Sequence, residues 1–221
     1  MSSICCIYRC GQPVKGRSNK CGAHRTALRR HGHPEQSSLT VAELEPYRST
    51  ILRIWRHSED SAFWKTLRDR WDRQLRRAAA LVSDWQRGMA VNLNQRKAAE
   101  ELLKLDRNVA FQELAVMALA VYVLEMDQRH RFRDHRAFRF QLVRRARALD
   151  DLSAYKVWNQ KRRAWHRVYK DFTPEAVVIL SDHLGEIFAE GAFLLHDHRK
   201  VGQARIAGEA QAMSEAVKGL P

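Results

Sequence analysis

Four potential metal ligands open the chain at the spacing Cys5-x4-Cys10-x10-Cys21-x2-His24, and all 4 cysteines lie in the first 21 residues. No other feature constrains the fold as tightly. A segment this short and polar cannot bury enough apolar surface to fold alone, so it needs a covalent or metal staple. Structural zinc takes four soft or borderline ligands in a tetrahedron, commonly as two pairs, each from a tight turn. Cys21-Gly22-Ala23-His24 has the short spacing that lets one turn, or a first helical turn, present both ligands. Gly11 and Gly16 loosen the backbone around the first pair. Zn2+ held by Cys5, Cys10, Cys21 and His24 is the expectation. Cys6 competes with Cys5, and His31 and His33 are within reach as substitutes for His24.

Residues 5–34 resemble a treble-clef-type zinc finger found at the N-terminus of many phage and mobile-element proteins, including some HNH homing-type endonucleases. The residues that carry the resemblance are Cys5, Cys10-Gly11-Gln12-Pro13-Val14, Cys21-Gly22-Ala23-His24 and Leu28-Arg29-Arg30-His31-Gly32-His33-Pro34. The chain departs from the family pattern at Gln12, Arg25 and His33, where that pattern has Arg, Tyr and Asp. The resemblance implies DNA binding, with Arg25, Arg29 and Arg30 near the phosphate backbone. It covers under a sixth of the chain and implies nothing for residues 40–221.

The rest of the sequence reads as helix. Apolar residues make up 45% of the 221, and only 10 Gly and 5 Pro interrupt them. Residues 1–34 form the zinc-finger module, 35–40 a polar linker, 41–198 an all-α domain of about six helices, and 199–221 a weakly patterned tail. Thr40 with Glu43 makes a capping box that starts a helix. Ser58 or Ser61 caps the next, in which Trp64, Leu67, Trp71, Leu75, Ala78, Val82 and Trp85 recur at helical spacing. That stripe is read as core. Helices over 93–106 and 109–128 follow, the second around the apolar run Leu114–Leu124, too short to span a bilayer. Thr173 and Pro174 open a last helix that ends near Leu195.

Two basic helices are expected between these, over 134–149 and 153–171. In the first, Arg133, Arg136, Arg144 and Arg147 fall opposite Phe138, Leu142 and Leu149. In the second, Lys156, Arg163, Arg167 and Lys170 form a stripe. Formal net charge is +14, and 29 of the 39 basic residues are Arg, whose planar fork suits phosphates. Duplex DNA is therefore the expected partner, with Arg136, Arg144, Arg147, Arg163, Arg167 and Lys170 joining the finger in contacting it. The first 30 residues hold cysteines and charges in place of an apolar leader, so the expected location is cytoplasmic.

No Gly-rich phosphate loop, nucleophile elbow or HNH hairpin is present, and the expected role is regulator or accessory factor, not enzyme. Two alternatives stand. One is an RNA-binding or protein-interaction module with a purely structural zinc. The other is a nuclease built around His183, Glu186, Glu190 and His196-Asp197-His198.

Overall fold

The computed structural model describes residues 3–14, 16–150, 154–159, 164–169 and 172–218. Helix α1 (Gly22–His31) belongs to the N-terminal module. The body follows as α2 (Val41–Ser58), α3 (Ala62–Gln86), α4 (Leu93–Asn108), α5 (Phe111–Asp127), a 3₁₀ turn (Arg129–Arg131), α6 (His135–Arg147), strands β1 (Ala154–Asn159) and β2 (Ala164–Tyr169), and α7 (Pro174–Lys218). Among the described residues no helix is long and apolar enough to cross a membrane.

Local chemistry sets the helix starts. The Thr40 side chain accepts from Glu43 N at 3.2 Å, and Glu43 Oε2 accepts from Thr40 N at 2.7 Å, closing the capping box of α2. Asn92 caps α4 through Asn94 N, and Asp134 caps α6 through Ala137 N. Thr173 caps α7, whose first residue is Pro174, where a missing N–H costs nothing.

α5 is apolar on all sides and runs through the centre, with α2, α6 and α7 packed around it. The α3–α4 pair lies against α7. The stripe on α3 is core for most of its length: Trp64, Leu67, Trp71 and Ala78 are buried. Trp55 and Trp64 meet at 4.4 Å between ring centroids, and the Trp71 indole donates to Asp106 at 2.9 Å. Trp85, at the end of the stripe, is exposed and lies under the Arg96 guanidinium. Asp150 is buried after α6 and pairs with Lys104 at 2.9 Å.

Two expectations are corrected. Where a helix over 153–171 is expected, residues 154–159 and 164–169 are strands, within a body that is otherwise helical. β1 and β2 form an antiparallel pair, with Tyr155 opposite Val168, Lys156 opposite Arg167 and Trp158 opposite Trp165. The segment is dense in Tyr, Trp and Val, which fit a pleated ribbon better than a helix. Its apolar residues keep no strict alternation, and the helical spacing of Trp158, Trp165 and Val168 misleads. The last helix does not end near Leu195 but continues to Lys218. Residues 199–218 contain no Pro and five Ala, which outweigh Gly202 and Gly208 and let the helix run on despite its weak apolar pattern.

Glu43 does more than cap. Its Oε1 accepts from Arg131 Nε at 2.6 Å, tying the start of α2 to the 3₁₀ turn. The Arg131 hydrogen bond brings the Glu43 carboxyl down to about 2, helped by Thr40 and opposed by partial burial. A depressed carboxylate stabilises the fold above its ordinary value of 4.5, and that contribution is lost as pH falls towards 2. Glu43→Gln should therefore lower stability by about 1 kcal/mol at neutral pH, a figure kept small because the side chain is partly exposed. Chemical denaturation should show that difference at pH 7 and its disappearance near pH 2. An equal deficit at both would refute the ion-pair account.

Candidate metal centre

The ligand pairs come from two local structures. Cys5 and Cys10 flank a knuckle in which Cys10 N donates to Ile7 O at 3.0 Å. Arg9 takes a positive φ of 58° to make the turn, and Gly11 follows at 61°, a conformation glycine adopts without cost. Cys5 N donates to Gln12 O at 3.0 Å, and Ile4 bridges Pro13, so the knuckle closes as a small loop. Cys21 is the N-cap residue of α1, and His24 lies in the first turn. The helix therefore carries the second pair on a rigid rise.

These four side chains converge. Their ligand atoms all lie within 4.8 Å of one another. Cys21 Sγ is 3.3 Å and Cys5 Sγ 3.4 Å from His24 Nδ1, and Cys10 Sγ is 3.8 Å from Cys21 Sγ. Tetrahedral zinc with ordinary bond lengths has S···S edges of about 3.8 Å and S···N edges of about 3.6 Å. These three separations lie close to those edges, whereas a disulfide requires sulfurs near 2.0 Å. The donor set thus fits a tetrahedral ion of the zinc class.

The electrostatics suit thiolate ligation. Burial raises the Cys5 thiol, but the backbone donors at Cys21 and Ile7, with His24 and Cys10, outweigh it and bring Cys5 down to about 6. The direct contact is Cys21 N–H to Cys5 Sγ at 3.3 Å. Cys10 is held up: the Gln12 backbone favours its thiolate, but burial and the two neighbouring cysteines prevail. Three sulfurs crowded together cannot all ionise without a cation between them.

The geometry also separates the competing ligands. Cys6 is exposed and outside the cluster, although its N–H donates to Asn19 O. His33 Nδ1 accepts from Glu35 N at 3.2 Å. His31 points to α6, where its Nδ1 receives Arg144 Nη1 at 2.8 Å and Gln141 Nε2 at 3.0 Å. Burial, then Arg144 and Arg30, push the His31 imidazole down to about 4, so it is a neutral acceptor at pH 7.

The module is fastened to the body at that point. Gln141, fully buried in α6, donates to His31 and accepts from Leu39 N at 2.9 Å. Arg145 donates to Leu39 O. Gln36, also buried, accepts from Arg133 N at 3.0 Å and donates to Ser37 O. Residues 35–40 therefore lie along α6 and the 3₁₀ turn. Gln36 and Gln141 carry no role in the sequence reading, and Gly32 enters it only within the finger resemblance. The available signal was a polar Gln141 among Phe138, Phe140, Leu142 and Val143.

The remaining site residues divide. Arg25, Arg29 and Arg30 are exposed on α1. Among residues 1–34 there are seven Lys and Arg and no Asp or Glu. Arg136 is exposed at the start of α6. Arg144 and Arg147 do not form a solvent ridge with it: Arg144 binds His31, and Arg147 pairs with Glu101 at 2.7 Å and stacks over Phe172. Arg163 and Lys170 lie outside the described residues, and Arg167 is in β2, not on a helix. His183, Glu186 and Glu190 face the polar side of α3. His183 donates to Gln74 at 3.1 Å, Glu186 contacts Gln74 and Arg77, and Glu190 contacts Arg70. His196 is buried beside Asp127 at 3.1 Å.

No protein-family model matches the chain, and no match to a curated protein or to a solved structure reaches significance.

Proposed function

We propose that this is a zinc-containing DNA-binding protein of the cytoplasm, acting without catalysis of its own as a regulator or accessory factor of a phage or mobile element. The observation that carries the reading is the Cys5, Cys10, Cys21 and His24 cluster, which fixes the first turn of α1 and so holds Arg25, Arg29 and Arg30 outward on a short, acid-free module. A helix pinned at its origin presents its cations with little ordering cost, and Arg forks match phosphate oxygens. The phage or mobile-element setting rests on the resemblance of residues 5–34 to such fingers.

The test is fluorescence anisotropy on duplex DNA and on RNA of equal length across a salt series. Each phosphate contact contributes about −0.9 to the slope of log K against log salt on a duplex. A slope on the order of −4 or steeper is expected for DNA, with weaker binding to RNA. No binding to duplex DNA at low salt, or binding indifferent to salt, would overturn the proposal.

A further inference from the structure

The structure brings a second group of cations to the finger from more than ninety residues away. Gly32, which ends α1, lies so close to α6 that a Cβ on it would stand 2.9 Å from the Arg136 carbonyl oxygen. Gln36 is hydrogen-bonded to the backbone of Arg133 and Arg131. The segment from Arg129 to Arg136 therefore runs beside the C-terminal end of α1, where Arg29 and Arg30 are. Arg129, His130, Arg133, His135 and Arg136 are all exposed. Arg131 alone in this segment is spent on a carboxylate, Glu43. Asp134 is occupied as the cap of α6. Among the described residues no carboxylate pairs with Arg129, Arg133 or Arg136, whereas Arg70, Arg77, Arg139 and Arg147 elsewhere on the body are paired.

We infer that α1 and the Arg129–Arg136 segment form one composite surface that tracks the sugar–phosphate backbone of a duplex, the finger supplying one half and the body the other. This rests on the DNA-binding reading above and adds to it the residues from the body. α1 alone is about 15 Å long, and phosphates recur every ~3.4 Å of axis per strand, so the added segment extends the contact along the backbone.

The character of the surface favours a duplex over other anionic partners. Among the described residues the exposed large apolar side chains are Ile4, Tyr8, Val41, Trp85, Met89, Leu93, Trp158, Phe193 and Leu194, and none lies in residues 22–36 or 129–136. A protein interface needs buried apolar or aromatic anchors, and a membrane surface needs side chains to insert. A single strand needs aromatic platforms for its bases. Phe132, Phe138 and Phe140 are buried here, so none serves. Forks of Arg donors without anchors fit a regular line of phosphates.

The test is anisotropy with the full-length, zinc-replete chain on a duplex and on a single strand of equal length. Arg129→Ala with Arg133→Ala, and the same pair with Arg136→Ala, are compared with Arg73→Ala plus Arg76→Ala. The last two residues are exposed on α3, in a hollow shared with Asp69 and Asp72. The triple variant should lose roughly 2–3 units of salt slope and at least about tenfold in affinity near 0.1 M salt, with the α3 variant unchanged. The double variant should lose about 2 units, and both variants keep the Gly32 joint, which meets the Arg136 backbone and the Phe140 ring. Zinc content and circular dichroism confirm folding. If the wild type binds the duplex while double and triple variants keep its affinity and slope, the composite surface is wrong and the DNA-binding reading survives. A loss as large in the α3 variant, or tighter binding to the single strand, also overturns the composite surface. A wild type that does not bind duplex DNA at low salt overturns both.

Discussion

Cys21→Ser should abolish metal binding and unfold residues 1–34 while the helical body stays folded. Cys21 serves the module three times. Its sulfur lies 3.8 Å from that of Cys10 and 3.3 Å from His24 Nδ1, its N–H donates to Cys5 Sγ, and it is the N-cap of α1. Among the described residues, the apolar cluster around these groups is Cys5, Val14 and Cys21, with Ile7 and Cys10 at the margin. Such a core is too small to hold the module folded without a staple. Metal ligation in modules of this size contributes about 10–16 kcal/mol. The body has a separate core reaching from Leu39 to Leu195, so its unfolding transition should persist. Elemental analysis should find about one zinc per wild-type chain, as a Cys3His site implies, and a small fraction of that in the variant. Far-UV circular dichroism should lose only the share of α1. Wild-type protein that carries no metal and has an ordered N-terminus would remove the basis of the argument.

Where structure is decided by neighbours in sequence, it was legible. The Thr40–Glu43 box, the Thr173–Pro174 start and the two ligand pairs each depend on residues within a few positions of one another. Where the deciding partner is remote, it was not. Arg144 and Arg147 lie on what a helical wheel calls the outer face of α6, yet their partners are His31, 113 residues away, and Glu101, 46 residues away. A wheel sees only the helix, and here two chain segments cover its polar side. The same remoteness hid the meeting of Arg133 and Arg136 with α1. The strand pair at 154–159 and 164–169 is a different failure: Trp158, Trp165 and Val168 fit a helical spacing, no strict alternation marks the strands, and aromatic and β-branched content was the better guide. His31 and His24 are alike in the sequence as possible ligands, and only the turn of α1 that each occupies separates them.

Gly32→Ala should detach the metal module from the body without releasing the metal. Gly32 ends α1 with φ of 81°, its N–H donating to Leu28 O at 3.0 Å. An L-residue there costs about 1–2 kcal/mol for the left-handed backbone alone. The added methyl would also stand 2.9 Å from both the Arg136 carbonyl oxygen and Phe140 Cδ2. One of those neighbours is backbone and the other a buried ring, so neither can swing aside, and overpacking adds about 1–3 kcal/mol. The joint holds only a few polar contacts, chiefly His31 with Gln141 and Arg144, so it should open before the body unfolds. Hydrogen exchange should speed up at the end of α1 and in residues 33–40, with zinc content unchanged, because all four ligands precede Gly32. Acidification offers an independent check. The His31 imidazole is depressed to about 4 by burial, Arg144 and Arg30, so the joint has its full stability above the ordinary value of 6.5. It loses that contribution as pH falls from 6.5 through about 4, because the unfolded or detached state takes up the proton first. Wild-type protein should therefore show exchange at the joint rising over that interval. The Ala variant, already open, should show no such step. Wild-type protection in the Ala variant, with the acid step retained, would mean that the module is not held at Gly32.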